Sequence, residues 1–69
     1  MKIKLNGDFQ KIKTDKKNLN LKLVIDKLDL NPKLIVVEFN GLIINKQNWE
    51  GTIVKEGDVL EIVTIVGGG

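Results

Sequence analysis

Gly67, Gly68 and Gly69 close the sequence, and the group they offer to chemistry is a terminal carboxylate on a lead that carries no side chains. Three extended residues span about 10 Å, and a backbone without Cβ atoms can thread a channel too narrow for other residues. A carboxylate is a poor electrophile until one of its oxygens becomes a good leaving group. Such an end is therefore useful to a partner that activates it. The chain has no nucleotide-binding loop of the Walker type with which to do so itself. No helix follows the glycines, so they cannot cradle a phosphate at a helix N-terminus. Taken alone, a glycine ending reads more readily as a frayed terminus, and the rest of the chain must decide.

Other chemistries are poorly provided for. The 69 residues contain no Cys and no His, which removes the commonest nucleophile, the commonest general base and the usual zinc ligands. There is no Ser, and Thr occurs only at Thr14, Thr52 and Thr64. The chain is therefore read as not an enzyme, with no metal and no cofactor of its own. Eleven Lys against nine acidic residues leave a net charge of +2, and Arg is absent. A nucleic-acid reader would be expected to carry Arg forks and stacking aromatics. The only aromatics here are Phe9, Phe39 and Trp49. The Lys-rich stretch from Lys11 to Lys17 reads as a solvated loop face, with RNA contact as its alternative. No apolar run approaches the ~20 residues of a membrane helix, and the N-terminus lacks the layout of a signal peptide. The expectation is a soluble, cytoplasmic protein, monomeric when free, with neither nucleic acid nor membrane as partner.

The elements that must hold the tail follow from periodicity. Met1 to Leu5 alternates apolar and charged residues, as a half-buried strand does, and stops at Asn6-Gly7. That dipeptide suits a type I′ hairpin turn, so Phe9 to Lys13 reads as the returning strand. Leu21, Val24, Ile25 and Leu28 then stand at i, i+3, i+4 and i+7 on one helical stripe. Asn20 is the expected cap and Pro32 the expected stop, for a helix of about three turns that must lie on a sheet to persist. The apolar run Leu34 to Phe39 reads as a strand buried on both faces or nearly so. Asn40-Gly41 turns the chain into a return strand from Leu42 to Ile44, and the Trp49 ring is expected to plug one end of the core. Glu56-Gly57-Asp58 makes another turn. Val59 to Val66 forms the last strand, with Leu60 and Ile62 on one face and Val59, Glu61, Val63 and Ile65 on the other. One helix and four or five strands predict an α+β domain over residues 1–66, a mixed sheet with its main helix on one face, followed by a flexible glycine tail at 67–69. The face opposite the helix would then carry an apolar patch.

Met1-Lys2-Ile3 with Asn6-Gly7, the helical stripe, Pro32, the run Val37-Glu38-Phe39-Asn40-Gly41, Trp49, Glu56-Gly57-Asp58 with Glu61-Ile62-Val63, and the terminal glycines together resemble the ThiS family of thiamine-pathway sulfur carriers. The resemblance covers the whole chain. It implies the β-grasp fold shared with ubiquitin and with the sulfur carrier of molybdopterin synthesis. It also implies a mechanism: a ThiF-like enzyme uses ATP and magnesium to adenylate the Gly69 carboxylate. Sulfur from a cysteine desulfurase or a sulfur relay then displaces AMP, and the thiocarboxylate serves a ThiG-like thiazole synthase. In that scheme Gly69 is the acceptor and Gly67 and Gly68 are the slender lead. Val63, Ile65, Val66 and Phe39 would form the docking patch.

This chain departs from the family's usual pattern in ending with three glycines instead of two and in lacking Arg. Carriers for molybdopterin or another pathway share the fold and the terminal chemistry. The molybdopterin carrier usually has a bulkier aromatic near the glycines, where this chain has Val66. A ubiquitin-like modifier and a β-grasp module that binds RNA or protein are the other readings.

Overall fold

The computed structural model of the chain describes residues 1–65. The chain opens with a hairpin, β1 (Lys2–Leu5) and β2 (Asp8–Lys11). A short strand β3 (Asn18–Asn20) leads into helix α1 (Leu21–Lys27). After a one-turn 3-10 segment at Pro32–Leu34 come β4 (Ile35–Phe39) and β5 (Leu42–Ile44). The 3-10 turn Lys46–Asn48, β6 (Ile53–Lys55) and β7 (Val59–Thr64) complete it. Five strands form one mixed sheet in the order β2-β1-β7-β4-β5, while β3 and β6 pair separately. This is the β-grasp arrangement that the resemblance implies.

Both Asn-Gly turns behave as their chemistry requires. Asn6 and Gly7 have φ of 49° and 88°, and Asn40 and Gly41 have φ of 49° and 90°, the two consecutive positive values that let a tight turn follow the right-handed twist of its strands. The helix starts where expected, with the Asn20 side chain accepting from the Leu23 N–H at 2.9 Å. Its end differs from expectation. It spans 7 residues, about two turns instead of three, and stops at Asp29, whose φ is 59°. The Asp29 N–H donates to Asp26 O at 3.1 Å and the Leu30 N–H to Ile25 O at 3.4 Å. That is a Schellman motif, and it closes the helix before Pro32, which instead opens the 3-10 turn.

The core lies between the helix and one face of the sheet. Leu21, Val24 and Ile25 meet Ile3, Ile35, Val37 and Leu60, with Leu28 half-buried at the margin. Leu19 on β3 and Val54 on β6 sit directly opposite one another and are both buried. Ile12, inside the stretch read as a solvated loop, is buried as well. Trp49 is only 2% exposed, and its indole N–H donates to Ile44 O at 3.0 Å. The ring therefore fills the end of the core while its polar edge remains satisfied.

β4 corrects the reading of a strand buried on both faces. Ile35 and Val37 are buried, but the intervening Val36 is exposed. The single short helix covers one face only, so the other side of β4 has nothing to pack against.

Candidate functional site

The strand that leads to the glycines is central in the sheet, with β1 on one side in parallel and β4 on the other in antiparallel register. Two asparagines grip it from opposite sides. On one side, the Asn40 Oδ1 accepts the Val59 N–H at 2.9 Å, while the Asn40 N–H donates to Val59 O at 2.8 Å. On the other, the Asn6 N–H donates to Leu60 O at 2.9 Å. The Asn6 side chain goes further along the strand: its Oδ1 accepts the Ile62 N–H at 2.7 Å and its Nδ2 donates to Ile62 O at 3.2 Å. Ladder pairing between β1 and β7 reaches only Leu5 and Leu60. The Asn6 amide thus supplies one further backbone-like pair where β1 has already turned away. Each tight-turn asparagine fixes its own turn and the exit strand together.

Strand alternation sorts the β7 side chains. Leu60 is fully buried and Ile62 half-buried on the helix side, while Val59, Glu61, Val63 and Ile65 are exposed. The register places Val36 opposite Val63 and Glu38 opposite Glu61, with Ile43 opposite Glu38 on the next strand. The outer face near the tail is therefore an apolar group, Val36, Ile43, Val63 and Ile65, around two adjacent carboxylates. Val63 and Ile43 are 60% and 66% exposed. Toward the other edge the same face turns basic. Lys4 lies opposite Phe9, and the Lys2 Nζ stands 4.6 Å from the centre of the Phe9 ring.

Of the residues expected in the docking patch, Val63 and Ile65 share the outer face. Phe39 does not. It lies opposite Leu60, half-buried against the core on the helix side, because the β4 residues with odd numbers all face inward. Sequence reasoning missed Val36 and Ile43. The signal was the shortness of the single predicted helix, which cannot cover both faces of a sheet. Val66, Gly67, Gly68 and Gly69 lie outside the described residues, and so does the 66/67 boundary drawn between domain and tail.

On the helix side a shallow groove of about 520 Å³ is lined in part by Leu5, Ile12, Leu28 and Leu30, with Lys11, Lys13 and Lys27 also in its wall. The Lys27 ammonium donates to Lys13 O at 3.2 Å. Gln10 completes the wall of the groove. Among the described residues, no helix is long and apolar enough to cross a membrane.

The ThiS family model matches residues 3–69, through the three glycines. The chain belongs to the ThiS family. The crystal structure of the thiamine biosynthesis protein ThiS from Geobacter metallireducens is 27% identical and covers 100% of both chains with a TM-score of 0.85. A solution NMR structure of a thiamine biosynthesis protein from Geobacter metallireducens, also 27% identical, has a TM-score of 0.81 over 100% of this chain and 88% of that one. The uncharacterized protein ycf40 of Trieres chinensis is 47% identical over 51 residues, 74% of this chain and 70% of that protein. Its counterpart in Porphyra purpurea is 35% identical over 51 residues, 74% and 72% of the two chains. In this ThiS-family chain the two asparagine clasps hold, and the outer apolar face includes, the strand that precedes the glycines in sequence.

Proposed function

We propose that the chain is a sulfur carrier in thiamine biosynthesis, acting through the carboxylate of Gly69. The observation that carries the reading is the family match, which runs from residue 3 to the last glycine. The likeness to ThiS over the full length of both chains supports it. The chain is the carried substrate in this scheme and its partners are the catalysts. A ThiF-like adenylating enzyme, using ATP and magnesium, joins a carboxylate oxygen of Gly69 to AMP and releases pyrophosphate. The mixed anhydride then has a good leaving group. Sulfur drawn from a cysteine desulfurase or a sulfur relay displaces AMP and leaves a thiocarboxylate, which donates its sulfur to a ThiG-like thiazole synthase. Gly67 and Gly68 thread the partners' channels, and Val63, Ile65 and Val66 dock against their surfaces.

The test is intact mass after incubation with the adenylating enzyme, ATP and a sulfur source. The expected gain equals the replacement of one oxygen by sulfur, and deletion of Gly69 abolishes it. Gly68→Ala should slow the reaction while the domain stays folded, since the added methyl crowds the channel. A terminus found linked to lysine amines would make the chain a modifier instead. Retention of the biological role after removal of all three glycines would overturn both.

A further inference from the structure

We infer that the partner seated on the outer face brings an arginine side chain to lie between Glu38 and Glu61. This rests on the reading that the Val63 face is where the adenylating enzyme docks. Glu38 and Glu61 are directly opposite in the antiparallel register of β4 and β7, and both project from the outer face. Like charges in that position destabilise a sheet. Among the described residues neither carboxylate has a hydrogen-bond or ion-pair partner, the ion pair present being Lys22 with Asp26 on the helix. Lys4, on the same face one strand away, forms no ion pair with Glu61.

The surroundings turn this pair into a requirement on the partner. Glu38 is half-buried already, and Val36, Val63 and Ile43 border the two carboxylates. A partner that covers the exposed valines must also strip water from both acids. Desolvating two adjacent anions is unfavourable unless a cation enters with the apolar surface. Two carboxylates side by side suit the planar guanidinium, whose five donors can serve both acids at once, better than the point charge of an ammonium. The occupant is thus a protein surface that is apolar with an arginine at its centre.

The test measures binding of the full chain to a ThiF-like adenylating enzyme from the same genome, by calorimetry without ATP, and the melting temperature of each free variant. The double variant Glu38→Gln with Glu61→Gln should melt higher than the wild type, because the repulsion is gone. It should nevertheless bind about tenfold more weakly or worse, with a flatter dependence on salt. Val63→Asp should also weaken binding. If Val63→Asp weakens binding while the double variant binds like the wild type or better, the docking face stands and the arginine inference is wrong. If Val63→Asp binds normally, the docking reading itself fails. Sedimentation that shows the wild type self-associating, with the double variant monomeric, would identify a second copy as the occupant and overturn the proposal.

Discussion

Replacing Asn6 by glycine separates the two tasks of that residue. Glycine takes the left-handed φ of 49° found at position 6 without penalty, so the turn is retained. What is lost is the clasp on Ile62, an acceptor contact of 2.7 Å and a donor contact of 3.2 Å. A net hydrogen bond contributes about 0.5–1.5 kcal/mol. Both bonds are solvent-exposed, so water replaces them in part and the combined loss is about 1–2 kcal/mol. For a domain of this size that corresponds to a fall in Tm of roughly 5–15 °C. Circular dichroism melts measure it, and amide hydrogen exchange localises it, because the Ile62 N–H should lose protection first. Asn6→Asp provides the internal comparison. It retains an acceptor for the Ile62 N–H but loses the donor and sets a carboxylate against a carbonyl, so its Tm should fall through a different bond while Ile62 stays protected. An unchanged Tm and unchanged Ile62 exchange in the glycine variant would refute the idea that the side chain extends the sheet.

Ile25→Ala, at a fully buried position under the sheet, should cost about 2–5 kcal/mol in urea unfolding with an unaltered m-value. Trp49→Phe keeps most of the apolar volume but leaves Ile44 O without its indole donor, and a loss of about 1–3 kcal/mol is expected in the same assay. Gly41→Ala meets open space but a φ of +90°, so its cost of about 1–2 kcal/mol is purely conformational. Gly51→Ala is the matched control: φ is not positive there and the nearest atom to the new Cβ is Asn48 O at 3.8 Å, so its stability should change by less than about 0.5 kcal/mol.

The tight turns were legible in the sequence because Asn-Gly specifies local dihedrals that little else tolerates. The helical stripe was legible because its period is independent of what it packs against. The outward pairing of Val63 with Ile65 followed from simple alternation once Leu60 was assigned to the core. Elements whose character depends on partners distant in sequence were not legible. β3 and β6 are three-residue strands identified chiefly by the contact between Leu19 and Val54. The contiguous Ile35-Val36-Val37 run carries no sign of which face the helix will cover. Phe39 was misassigned for the same reason, since its parity relative to Leu60 is a matter of register. The helix end at Asp29 depends on a left-handed residue that is not glycine, and the sequence draws the eye to Pro32 instead.

The central strand of the sheet is also its last strand in chain order. Until residues 59–64 are available, β1 and β4 have no neighbour on their facing edges, and the first hairpin and the β4–β5 hairpin are separate fragments joined by a helix with no complete sheet to rest on. The pairings made by β7 join residues far apart in sequence, such as Leu5 with Leu60, so closing them comes late and carries a large entropy loss. On a ribosome, this domain could complete its sheet only after residues 59–64 had been made. Truncated chains lacking β7 would expose two unpaired strand edges and fall to aggregation or proteolysis. The topology therefore acts as a length check: a chain that holds a folded domain is one that has been translated at least as far as the strand from which the glycines leave.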